Sequence, residues 1–235
     1  KTLLVSHLAM LPLLLGIVWQ VSRIVKYFFS DKYWFLAMIL VITDTSLLGQ
    51  CTQVSPDVAL VFFFFWALNS VLYGQKWILA IALVGLSFVS VRGMFATLTV
   101  FGCDFCFQYY GGSDPKKTKN YFKILAWYLP AAILVFVFLI WHYHVKGWII
   151  PTDNPRWPGH YDASGFKGFI YNSLITCWRL IDFGRIFLWV GLMVIIWRFL
   201  KRKIMPDRKS ILIGCFFLIF MLINSPYLLF FKQPI

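Results

Sequence analysis

Along this chain the apolar positions come in long unbroken runs, and polar residues collect in the gaps between runs instead of alternating with them. A run of about 20 apolar residues crosses the ~30 Å hydrocarbon of a bilayer at 1.5 Å per helical residue. Read at that length, the runs fall near 3–22, 34–50, 57–74, 77–91, 92–110, 121–141, 183–200 and 210–231. The predicted fold class is all-α: a polytopic membrane helical bundle of about eight transmembrane helices, forming one transmembrane domain over 1–235. Residues 77–110 are too many for one untilted crossing, and a break at Arg92-Gly93 turns them into a helical hairpin. A single tilted span followed by a helix on the membrane surface is the alternative.

Composition sharpens the membrane reading. Sixty per cent of the residues are hydrophobic and only 13% are charged, against about 25% charged in a soluble domain. The net charge of +13 points to membrane orientation and not to a nucleic acid partner, because lysine and arginine at span ends are held on the cytoplasmic side. The basic clusters do fall in alternate gaps: Arg23, Lys26 and Lys32; then Lys76; then Lys116, Lys117 and Lys119; then the stretch 198–209. The gap around 50–57, the turn at Arg92 and the long segment 143–182 are thereby assigned to the outer face. That long segment mixes Pro, Gly, Asp and His with Trp and Tyr, and reads as an outer-face loop with an interfacial helix near 166–182.

Chemistry has few carriers here. The chain has nine acidic residues, every one an aspartate. In "CTQVSPDVALVFFFFWAL", Ser55 suits an N-cap, Pro56 the first helical position and Asp57 the first turn, where a carboxylate complements the exposed N–H groups. Asp57 also stands at the outer mouth of its predicted span, on the same side as Arg92. Arg92 carries a permanent cationic fork that suits phosphate oxygens, with snorkelling to lipid headgroups as the plainer account. Asp44 either lines the same cavity or belongs to a polar kink with Thr43, Thr45 and Ser46. His160 and Asp162, in "PGHYDASG", are candidates for an acceptor or outer-loop site that could take a divalent cation, although one His-x-Asp has low specificity. His142 and His144 are two apart and do not share a helical face. The five cysteines are scattered, and "CDFC" at 103–106 has no second ligand pair, so buried thiols are the simpler reading.

The succession "SHLAMLPLLLGIVWQVSRIV" and "VITDTSLLGQCTQVSPDVALVFFFFWALNSVLYGQKWILAIALVGLSFVSVRGM" resembles the membrane core of the GT-C glycosyltransferases. Within them it is most similar to the branch of protein O-mannosyltransferases and the lipid A aminoarabinose transferase, over about the first 110 residues. The resemblance implies an inverting transfer of a sugar from a polyprenyl-phosphate donor to a lipid, glycan or protein acceptor, on the outer side of a bacterial plasma membrane. It puts Arg92 on the donor phosphate, with Asp57 and Asp44 shaping the pocket, and some relatives use a divalent cation. Two departures stand out. The family's principal catalytic aspartate and its following His-Pro motif have no counterpart in this sequence, so the general base is expected upstream of Lys1. Many relatives also have lysine where Arg92 sits. A transporter or lipid flippase is the competing class, but no internal repeat supports it; a noncatalytic membrane subunit is a third.

Overall fold

The computed structural model describes residues 2–28, 34–111, 121–147 and 165–181, together with helical positions scattered between 190 and 223. These residues form eight named helices: α1 (Thr2–Phe28), α2 (Trp34–Ile42), α3 (Thr45–Thr52), α4 (Pro56–Leu72), α5 (Lys76–Val89), α6 (Val91–Gly111), α7 (Tyr121–Lys146) and α8 (Phe166–Ile181). Helices α4, α5 and α6 pack on one another at the centre, α1 and α2 lie against the α4 side, and α7 closes over α5.

The all-α expectation fits these helices, but the count of about eight transmembrane helices does not. Among the described residues only two helices are long and apolar enough to cross a membrane, through His7–Phe28 of α1 and Leu125–Lys146 of α7. The run 34–50 is cut by a turn at Thr43 and Asp44 into helices of nine and eight residues. Helices α4 and α5 are apolar but have 17 and 14 residues, about 26 and 21 Å, short of the hydrocarbon thickness. Their apolar character serves a protein core: Phe64, Ala67, Leu79, Leu83 and Leu86 are buried with Ala96 and Val100 of α6. Helix α6 has 21 residues, yet it carries Arg92 near its start and a buried Asp104, and it is not apolar enough to qualify.

The two long helices have the opposite surface. On α7, Leu125, Leu129, Ile133, Phe136, Val137 and Ile140 are exposed, and on α1 so are Leu8, Leu11, Leu15 and Trp19. Soluble proteins rarely leave continuous apolar faces of this size uncovered. The length and these faces support membrane association.

Polar ties fix how the helices meet. Asn69 of α4 is buried and its Nδ2 donates to both the backbone oxygen of Gln20, at 3.1 Å, and the Gln20 side-chain oxygen, joining α4 to α1. Tyr73 at the end of α4 donates to the Arg23 carbonyl at 3.1 Å, and the Arg23 guanidinium lies 4.3 Å from the Tyr73 ring centre. Arg23 therefore shares one end of the bundle with Lys76, which opens α5 just beyond Tyr73. Asp57, at the start of α4, lies at the other end, roughly 24 Å away along the helix.

The segment assigned to an outer loop begins differently from expectation, because α7 continues to Lys146. Helix α8 occupies Phe166–Ile181. Residues 148–164 lie outside the described residues, as do most positions of the predicted runs 183–200 and 210–231.

Candidate functional site

Each side chain of the site owes its position to a local break in helix. Ser55 is extended and its hydroxyl accepts the Asp57 N–H at 3.2 Å, capping α4 with Pro56 in the first turn. This is the capped start that the Ser-Pro-Asp order predicts, and it leaves the Asp57 carboxylate at the helix mouth. Asp44 plays the capping part for α3: its Oδ1 accepts the Leu47 N–H at 2.8 Å. The neighbouring Thr43 hydroxyl donates to the Ile39 carbonyl at 2.8 Å, closing α2. Asp44 thus stands at the break between α2 and α3.

The α5–α6 hairpin breaks at Ser90, not at Arg92-Gly93. Ser90 adopts extended angles of φ −170° and ψ 170°, and its carbonyl accepts the Gly93 N–H at 2.8 Å to open α6. Arg92 is thus in the first turn of α6. Gly93 is buried against the preceding helix, and a Cβ there would land on the Leu86 carbonyl oxygen and 2.9 Å from its carbon. Any larger residue would push the two helices apart and carry Arg92 with them.

These breaks bring the two sequence-predicted charges together. Arg92 Nη1 and Asp57 Oδ1 are 3.5 Å apart, with the side chains 49% and 40% exposed respectively. A well-made charge-assisted hydrogen bond is about 2.7–2.9 Å, so the pair is loose as well as wet. Asp57 also lines a groove of about 420 Å³ between α1, α2, α3 and α4, where Asp44, Ser46 and Gln50 supply polar groups and Ile17, Val61 and Phe65 the apolar wall. A second groove, of about 360 Å³, runs between α6 and α7. It is lined by Met94, Leu98, Phe101, Leu125 and Val135, and is almost wholly apolar apart from Ser87, Thr97 and Tyr128. The Ser87 and Thr97 hydroxyls, both in its lining, are 3.1 Å apart and knit α5 to α6.

The other sequence candidates do not join this site. His160 and Asp162 lie outside the described residues. His142 and His144 both fall within α7, which does not end between them. Among the described residues, no group of three or more His, Cys, Asp or Glu side chains is placed to hold a metal ion.

Sequence reasoning missed a second charged pair at the opposite end of the bundle. Asp104 of α6 is 1% exposed. Its carboxylate accepts from Gln108 Nε2 at 2.8 Å and from the Tyr128 hydroxyl of α7 at 3.2 Å, and Lys76 Nζ of α5 lies 3.5 Å from both oxygens. One carboxylate therefore joins three helices. The available signal was a lone acid inside "VFGCDFCF", one helical turn from Gln108 and within reach of the sole basic residue opening the preceding helix.

Comparison of the chain with family models, with curated proteins and with solved structures found no match. The likeness to the GT-C glycosyltransferases accordingly rests on the sequence patterns alone.

Proposed function

We propose that this chain works as a membrane glycosyltransferase that takes a sugar from a polyprenyl-phosphate donor and transfers it, with inversion, to a lipid, glycan or protein acceptor. The observation that carries the proposal is the Arg92–Asp57 pair, an exposed cation beside a carboxylate that lines a groove with Asp44. Arg92 holds the donor phosphate through its guanidinium fork. The isoprenoid follows the apolar groove that Met94 helps to line, within one turn of Arg92. Sugar or acceptor hydroxyls donate hydrogen bonds to Asp57 and Asp44 in the other groove.

In the transfer, an acceptor oxygen forms a bond to the anomeric carbon as the bond from that carbon to the phosphate oxygen breaks. The bonding pair leaves with the lipid phosphate, and the acceptor's proton passes to a general base. Arg92 stabilises the negative charge gathering on the departing phosphate, the step at which its charge lowers the barrier. The site faces the outer, periplasmic side of a plasma membrane, because it lies at the end of the bundle opposite the basic residues Arg23 and Lys76.

The test is transfer of labelled sugar from a polyprenyl-phosphate donor by membranes containing the full chain. Arg92→Ala is expected to lower the rate about 100-fold or more with the amount of membrane-inserted protein unchanged. Turnover of the donor at the original rate by this variant would overturn the phosphate role.

A further inference from the structure

The Arg92–Asp57 contact has three properties that belong together. It is long, at 3.5 Å, and joins one guanidinium nitrogen to one carboxylate oxygen. Both side chains are about half exposed, so solvent and ligands reach them. Asp57 lines the α1–α4 groove whereas Arg92 is not among the residues of its wall. A loose, exposed ion pair is worth little, and a phosphate offers the same guanidinium two or more oxygens in a bidentate arrangement.

We infer that Asp57 is the resting counter-ion of Arg92 and is displaced when a phosphate monoester or diester binds, which releases the Asp57 carboxylate into the groove. The inference rests on the proposed phosphate-binding role of Arg92 and adds a regulation to it. Until the anion arrives, the Asp57 carboxylate is turned partly toward Arg92. Once Arg92 is taken, Asp57 has no competing cation at that contact and accepts hydrogen bonds from hydroxyls in the groove beside Asp44. Anion binding and groove readiness are thereby coupled through one exchange of partners, and the coupling is reciprocal.

An internal competitor has a measurable signature: removing it tightens the ligand it competes with. The experiment measures binding of farnesyl phosphate to the purified full chain in detergent, with farnesol as the uncharged control and inorganic phosphate as a displacing anion. Arg92→Ala is expected to abolish farnesyl phosphate binding. Asp57→Asn is expected to tighten it about two- to five-fold, the range that an exposed pair's strength allows. Asp57→Ser, which removes the charge and keeps a side chain able to hydrogen-bond at the start of α4, carries the same expectation. Inorganic phosphate that displaces the probe with the same dependence on Asp57 assigns the exchange to the phosphate group, and displacement indifferent to Asp57 contradicts it. If Arg92→Ala abolishes binding while both Asp57 variants bind as the original chain does, or more weakly, the exchange is overturned and the phosphate role stands. If Arg92→Ala leaves binding unchanged, the phosphate role itself falls, and the exchange with it.

Discussion

Helix α6 contributes to two ion pairs of equal length and opposite character. At its start Arg92 meets Asp57 of α4 at 3.5 Å, with both side chains close to half exposed. Toward its other end Asp104 meets Lys76 of α5, also at 3.5 Å, but the Asp104 side chain is 2% exposed and the Lys76 side chain 29%. Distance alone does not separate a structural pair from an available one. Burial does. Asp104 is also held by Gln108 and Tyr128, so its loss would strand donors in a low-dielectric interior, whereas water can replace either member of the Arg92–Asp57 pair at little cost. The buried pair fastens α5, α6 and α7, and the exposed pair is left open to exchange.

The comparison breaks most visibly in stability. Lys76→Met should leave the Asp104 charge buried with two neutral hydrogen-bond donors, and is expected to cost about 3 kcal/mol, read by unfolding in detergent. A loss well under 1 kcal/mol would mean that the Lys76 contact contributes nothing to the bundle. Arg92→Ala lies at the small end, with an expected change of about 0–1 kcal/mol by the same measurement, even though it is the variant expected to lose transfer. If the two variants are equally destabilising, the distinction between a fastening pair and an open pair fails.

The sequence makes some of this arrangement readable and conceals the rest for physical reasons. Helices α1 and α7 can be found from length and hydropathy because a helix able to cross a membrane needs both. Helices α4 and α5 pass a test of apolar character equally well, since Leu68, Leu79 and Leu83 buried by protein neighbours look the same in a sequence as leucines buried by lipid. Only their length betrays them. The break within 34–50 hinges on Asp44, whose short acidic side chain caps a new helix in preference to staying inside a continuous one. For the site, Ser55, Pro56 and Asp57 encode their own local geometry, and the helix end at Asp57 follows from them. The approach of Arg92 to Asp57 depends on packing between helices 35 residues apart, which placement on a common face suggests and no local pattern specifies. Asp104 escaped notice because a single carboxylate barely lowers the mean hydropathy of the run around it, while its partners Lys76 and Tyr128 stand 28 and 24 residues away.

The central claim is that the anionic lipid belongs at the exposed pair and not at the buried one. Photolabelling the full chain with a polyprenyl phosphate analogue bearing a diazirine beside the phosphate tests this directly, with labelled peptides mapped by mass spectrometry. The account predicts labels in the first turns of α4 and α6, around Asp57 and Arg92, that disappear in Arg92→Ala. Labels concentrated around Lys76 and Asp104, or labelling at Asp57 that survives Arg92→Ala, would contradict it.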